Sequence, residues 1–516
     1  MDSLRPAISL RIDIQAGVAQ AFRRLRFLKR AVVLVLAAVV FTLPIRGQTT
    51  ANWVASGASG NWSTTAHWSG DVPLNAYYLN FGIGTRLTSN VDTPVDVNFF
   101  NGITFSGANS FTITGNELGM VNSFGTALIT NNSTATQTIN TPLNLNGVTP
   151  TIDTASGNIN LGGVIRSTGG LTKTGNAALT LGSANTYTGV TTIGAGTVNA
   201  SKIRVTGGNS SLGNATSAVV LGSATSRGTL SYTGGAVTYT RGFTINAGGG
   251  QLAHAGTGLL TVSNGVIAAG GLFTVGGASG KNITISSVIS GIGGVTKTGA
   301  DTVTLSGANT YAGQTTVSGG TLQVSGGTTL NPTLGGTSNV AIENGGTLRF
   351  SGTGGTNNKV VSGKSVTMGG GAGSGAATLH TGGLNGLDQT FGALTLTANS
   401  VIDFGALASG SQSLRFAASN ADWTGLALSV WNWTAGVDHL YFGTSSSGLN
   451  ASQLSQISFY GDSGTGFLGT AGINSSGELS VIPEPSTVFG LVGLAGLVGW
   501  RERKRLRGLL VRSTVS

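Results

Sequence analysis

The chain has 516 residues, 86 of them glycine and none cysteine, and carries a formal net charge of +10 on only 9% charged side chains. The lack of cysteine excludes disulfides and thiolate metal sites, so stability has to come from packing and backbone pairing. The charge sits at the ends: of 27 Lys and Arg residues, eight precede Gln48 and six follow Pro485, whereas residues 48–482 hold 13 basic and 13 acidic side chains. A neutral body argues against nucleic acid as a partner, and basic ends point to membrane targeting.

At the N-terminus, Arg23, Arg24, Arg26, Lys29 and Arg30 precede an apolar run over residues 31–43, followed by Pro44, Ile45, Arg46 and Gly47. This order is that of a secretory signal, predicting a signal helix within residues 1–47, recognition by the Sec machinery and cleavage near Gly47-Gln48. Residues 48–157 open with Trp53, Asn61-Trp62 and His67-Trp68, three of the seven tryptophans within 16 residues. We read them as an aromatic plug over the exposed end of a stacked fold, in preference to a carbohydrate-stacking site.

An internal repeat comes next. Residues 170–198 and 294–322 are identical at 16 of 29 positions without a gap, at a constant offset of 124 residues. Gly170-Leu171-Thr172-Lys173-Thr174-Gly175 recurs as Gly294-Val295-Thr296-Lys297-Thr298-Gly299, and Ala184-Asn185-Thr186-Tyr187 as Ala308-Asn309-Thr310-Tyr311. Fainter matches, Asn158-Ile159 with Asn282-Ile283 and Val164-Ile165 with Val288-Ile289, extend it upstream. Within each copy the apolar period is two: Leu179 and Leu181 flank Thr180, and Val303 and Leu305 flank Thr304. These are short strands with one buried face, punctuated by turns such as Gly319-Gly320 and Gly345-Gly346. The copies resemble the autotransporter-associated β-strand repeat, whose known setting is the passenger of bacterial surface proteins; the Trp-rich start resembles the segment often seen ahead of such repeats.

Short strands, Gly/Asn turns and no convincing amphipathic helix in the body predict an all-β fold, a right-handed parallel β-helix or β-solenoid, with a string of β-sandwiches as the alternative. The solenoid occupies residues 158–387, with repeats at about 158–200 and 282–324. At roughly 20 to 25 residues per coil and about 4.8 Å per coil, some 400 residues of such a body form a rod on the order of 80 Å long. Residues 388–480 read as a β-rich C-terminal cap that contains Ser400-Val401-Ile402-Asp403-Phe404 and Trp431-Asn432-Trp433.

No residue is expected to be catalytic, cofactor-binding or metal-ligating. His67, His254, His380 and His439 are scattered, and none lies at metal-ligand spacing. Asp438-His439 reads as a surface pair without a nucleophile motif beside it. Asp153, Asp301 and Asp403 occur singly, whereas acid/base hydrolysis of a glycoside needs two carboxyl groups. Lys173 and Lys297 occupy matched repeat positions, which marks them as structural ladder residues.

The last segment, residues 481–507, is the most specific. Val481-Ile482-Pro483-Glu484-Pro485-Ser486 leads into an apolar, glycine-punctuated segment of 14 residues, Thr487 to Trp500, and then a basic stop of Arg501, Arg503, Lys504, Arg505 and Arg507. As a helix, 14 residues span about 21 Å against a hydrocarbon core near 30 Å, a short membrane helix suited to a temporary anchor. Gly490, Gly493, Gly496 and Gly499 weaken it further and admit close approach of another helix. The basic stop stays cytoplasmic, which puts everything before Pro483 outside the inner membrane. Motif, apolar segment and basic end resemble the PEP-CTERM sorting tail of exported bacterial proteins. That resemblance implies Pro483, Glu484 and Pro485 as the sorting motif and an exosortase-type membrane protease as the partner that reads and cuts it. A self-exporting autotransporter ends instead in a membrane β-barrel, so the signal and sorting tail are expected to replace one here.

Together these readings predict an exported, non-enzymatic surface or matrix protein, structural or adhesin-like. It uses no cofactor, is anchored transiently in the inner membrane, and then resides at the cell surface, in the outer envelope or outside the cell, with exopolysaccharide among its partners. The alternative is a polysaccharide-active enzyme or carbohydrate-binding protein on the same scaffold.

Overall fold

The structure, a computed structural model, describes residues 49–483 apart from 58, 70–71, 74–76, 204–209, 327–333, 335–337, 353–358, 408 and 420, together with Arg503. The chain divides after Thr49, and the unit beginning at Thr50 holds all the described strands. The signal segment 1–47, Glu484, Pro485, the apolar segment and the basic stop other than Arg503 lie outside the described residues.

Strands of two to seven residues alternate buried and half-buried side chains, as in Leu171–Thr174, Ala178–Leu181 and Gly250–His254. Because the side-chain period of a strand is two, every second residue faces one interior. Nearly all pairing is parallel and in register, so inward residues of successive coils stack in columns. Ile159 lies on Leu179, Leu179 on Val198, Val198 on Leu230, Leu230 on Leu252 and Leu252 on Val275, all buried. Burying one such aliphatic side chain contributes roughly 1.5–3 kcal/mol. The outward column beside it reads Asn160, Thr180, Asn199 and Ser231.

In the middle of the chain each coil crosses three sheets in turn: Phe243–Ile245 on the first, Gly250–His254 on the second, Leu260–Val262 on the third, then Ile267–Ala269 on the first again. These sheets contain 15, 14 and 12 strands. The fold is a parallel β-solenoid of about 15 coils, which excludes the string of sandwiches. At about 4.8 Å per coil the stack is on the order of 70 Å, slightly shorter than expected.

The coils of the repeat are short. Paired residues are 20 apart from Lys173 to Ile193 and 20 apart from Lys297 to Val317, but 32 apart from Val198 to Leu230. The two copies are not in phase around the rod. Leu171–Thr174 lies on the first sheet and Ala178–Leu181 on the second, whereas the matched Val295–Gly299 lies on the second and Thr302–Leu305 on the third. An offset of 124 residues is five coils plus one face.

Each end is closed differently. Thr50–Trp53 pairs parallel with Tyr77–Phe81 and antiparallel with Trp68–Ser69. Trp53, Trp62 and Trp68 are all buried, with Trp62 edge-on to Trp68 at 5.2 Å and to Phe100 at 5.7 Å. The Trp53 indole donates to the Arg86 carbonyl and that of Trp68 to the Trp62 carbonyl. Burial of all three rings fits the aromatic plug and leaves none of these three tryptophans open to stack on a sugar. At the other end parallel pairing continues through residues 388–457, then Ile457–Tyr460, Phe467–Ile473 and Leu479–Ile482 pair antiparallel. Turning the chain back on itself replaces an open parallel edge with a hairpin. Among the described residues between 49 and 483 there is one α-helix, Ala451–Ser455, capped by Asn450 and Gln453 in a reciprocal capping box. Its sequence signal is the Asn-x-x-Gln spacing, since a single turn is too short to show an amphipathic period.

Candidate functional site

The sorting motif begins where the fold ends. Ile482 is the last residue of the strand Leu479–Ile482, in register with Thr470, and Pro483 follows it directly. Proline has no amide hydrogen to continue the ladder, which gives a local reason for pairing to stop here. No linker separates the solenoid from the motif. Arg503, the described member of the basic stop, is exposed.

The repeat motifs resolve into three internal devices. The first is a lysine inside the aliphatic core. Lys173 stands between Ile152 and Ile193 in the inward column, and Lys297 between Val275 and Val317. Each ammonium turns to backbone carbonyls: Lys173 Nζ donates to Thr174, Gly175 and Ala195 at 2.6, 2.7 and 3.0 Å, and Lys297 Nζ to Thr298, Gly299 and Gly319 at 2.7, 2.9 and 3.0 Å. The third carbonyl in each set belongs to the next coil, so the lysine clasps two coils together. Burial pushes the Lys173 ammonium down to about 8, opposed by the charge of Asp153. Burial also lowers Lys297, opposed by Asp301, whose carboxylate lies at 2.8 Å with both side chains fully buried. The first copy has Ala177 at the matched position and so lacks this ion pair.

The second device is the asparagine. Asn185 Oδ1 accepts from the Ile165 amide and Asn309 Oδ1 from the Ile289 amide, each at 2.8 Å and 20 residues away. A side chain thus supplies the acceptor that a regular strand would otherwise provide. The third is the tyrosine: Tyr187 and Tyr311 are buried, with hydroxyls 2.7 and 2.6 Å from Thr191 and Thr315. Lys173 and Lys297 are therefore structural rungs, each alone among aliphatic neighbours rather than stacked on one another.

Asp153 accepts from Thr174 Oγ1 at 3.0 Å. Parallel stacking brings His380 beside Asp403, 3.7 Å apart, and Asn432 Nδ2 donates to Asp403 at 2.7 Å. Burial pushes the His380 imidazole down, with Asp403 opposing. Asp438 and His439 do not form the surface pair expected of them. Consecutive strand residues face opposite sides, so Asp438 is buried and accepts from Gln412 and Thr434, while His439 pairs outward with Glu478 at 2.6 Å. Burial raises Asp438, opposed by its Gln412 hydrogen bond. His67 is held at 2.7 Å from the Asn61 carbonyl, and His254 is buried against the Tyr232 ring. Among the described residues no group of three or more His, Asp or Glu side chains is placed to hold a metal ion, and no helix is long and apolar enough to cross a membrane.

Comparison with known proteins agrees with this geometry. Residues 171–200 and 295–324 match the passenger-associated-transport-repeat, and residues 481–504 match the PEP-CTERM protein-sorting motif. The chain is also similar to the adhesin BmaC autotransporter of Brucella suis biovar 1 (strain 1330), 32% identical over 288 residues. That similarity covers 52% of this chain but 7% of the adhesin. No solved structure matches the chain. The protein thus carries autotransporter-associated repeats within a β-solenoid, joined directly to a PEP-CTERM sorting motif.

Proposed function

We propose that this chain is an exported, non-enzymatic surface rod, structural or adhesin-like, delivered by an N-terminal signal and held in the inner membrane until an exosortase-type protease cuts near Pro483-Glu484-Pro485. The observation that carries the reading is the junction: a passenger-type solenoid whose last paired residue, Ile482, abuts the motif. Cleavage there releases the folded body with almost no unpaired tail. The outward Thr, Ser and Asn columns supply a long polar surface, suited to an envelope or exopolysaccharide-associated role. The relative named as an adhesin supports the adhesin-like reading through the half of this chain that it matches.

The test is fractionation of native cells with mass spectrometry of the mature C-terminus. Surface material lacking residues 501–516, together with mislocalisation when residues 483–516 are deleted, is expected. Intact Ser516 in the surface fraction overturns the processing step.

A further inference from the structure

The terminal hairpin carries an apolar patch that the solenoid does not use. Phe467, Leu468 and Ile482 are 44%, 39% and 53% exposed. Phe467 and Leu468 are consecutive and both exposed because the pairing with Ile457–Tyr460 is bulged at Leu468, between Phe467 opposite Tyr460 and Gly469 opposite Phe459; Ile482 lies on the adjoining strand, opposite Thr470. The neighbouring Phe467 ring lies edge-on to Tyr460 at 5.7 Å, adding a half-buried aromatic with a polar tip. Gly469 keeps the strands close, since a Cβ there would stand 2.2 Å from the Ile482 carbonyl oxygen.

The position of this patch in the chain identifies its occupant. Thr487, where the apolar segment begins, lies five residues after Ile482, at most about 18 Å of extended chain. We propose that Phe467, Leu468 and Ile482 rest on the outer surface of the bilayer in which residues 487–500 are set. This depends on the proposed entry of those residues into the inner membrane. A short tether gives the patch an effective concentration on the order of millimolar at that surface, so three partly exposed side chains suffice while it lasts. Once the tail is cut, tether and effective concentration vanish together, and the patch alone does not hold the rod. Docking therefore fixes the motif at the membrane surface before cleavage and lets go after it.

Charge selects the lipid. Residues 388–482 hold one arginine against six carboxylates, so an anionic surface repels these coils and a zwitterionic one does not. The partner surface is thus zwitterionic headgroups with acyl chains beneath, the depth at which interfacial aromatics reside.

The absence of cysteine permits single-site labelling. The full, uncut chain is inserted into phosphatidylcholine vesicles with an environment-sensitive fluorophore at Leu468→Cys, at Val492→Cys in the tail, or at Thr225→Cys on a distant exposed loop. Nitroxide-labelled lipid is then added. Quenching at 468 and 492 but not at 225, with the 468 signal reduced by anionic lipid and by Phe467→Ser, is the expected result. Quenching at 492 without quenching at 468 overturns the docking and leaves the anchor reading intact. No quenching at 492 overturns the anchor reading, and docking with it. A label at 468 that is shielded from an aqueous quencher yet untouched by the lipid nitroxide shows that a second copy covers the patch, which also overturns the proposal.

Discussion

The buried lysines and tyrosines give the rod an unusual alkaline profile. Lys173 has a folded value near 8, below the roughly 10.4 of an unfolded lysine, and Lys297 is also lowered by burial. Between about pH 8 and 10 the unfolded chain holds protons that the folded chain has released, so stability rises with pH. Burial raises Tyr187 to about 12 and pushes Tyr239 and Tyr311 up as well. Above about pH 10 the unfolded tyrosines ionise while the folded ones do not, and stability falls. Urea unfolding midpoints measured across this range should pass through a maximum near pH 10, and Lys173→Met should flatten the rising limb. Much of this was legible in the sequence: Lys173 is two residues from Leu171, and parity alone puts both on the inward side. The clasping carbonyls were not, because they belong to the next coil and no local pattern encodes which coil that is. The same limit explains Glu478, which meets His439 across 39 residues through the terminal hairpin.

A strand here is short, two to seven residues, and its alternation decides which side chains are buried. Leu181 and Leu305 are buried while Thr180 and Thr304 are half-buried outward rungs. Leu305→Asp should bury an unpaired carboxylate and cost several kcal/mol, whereas Thr304→Asp should stay within about 1 kcal/mol, as read by thermal melts of the two variants. Equal sensitivity would contradict one-sided burial. The strands themselves were legible because period two survives in as few as four residues. Their assignment to three sheets was not, since an aliphatic rung reads alike on every face. One matched position shows what the repeat tolerates: Gly291 and its counterpart Ser167 share a left-handed backbone, with φ of 105° and 101°. Serine rarely adopts that conformation, so the coil geometry overrides the residue preference there.

At the scale of the molecule, each coil touches only its neighbours, so damage should stay local. Trp62→Ala removes a fully buried ring from the N-terminal plug and is expected to cost roughly 3–5 kcal/mol. Hydrogen exchange should show protection lost in the first coils and kept around residues 295–324; uniform loss would mean the rod unfolds as one block. The neutral body conceals a division that stacking makes spatial. Residues 48–157 carry one basic and five acidic side chains, 158–387 eleven and two, and 388–482 one and six. Acidic ends flank a basic middle.

The one-face shift between the repeat copies bears on how such a rod can be gripped. Had the copies been separated by a whole number of coils, their outer surfaces would form a single stripe, and a flat partner laid along the rod could engage both. Separated by five coils and one face, they stand roughly 25 Å apart along the axis and about a third of a turn around it. They are arranged like successive steps of a spiral stair. A sheet-like surface meets one step or the other, while a flexible strand that winds around the rod can meet both.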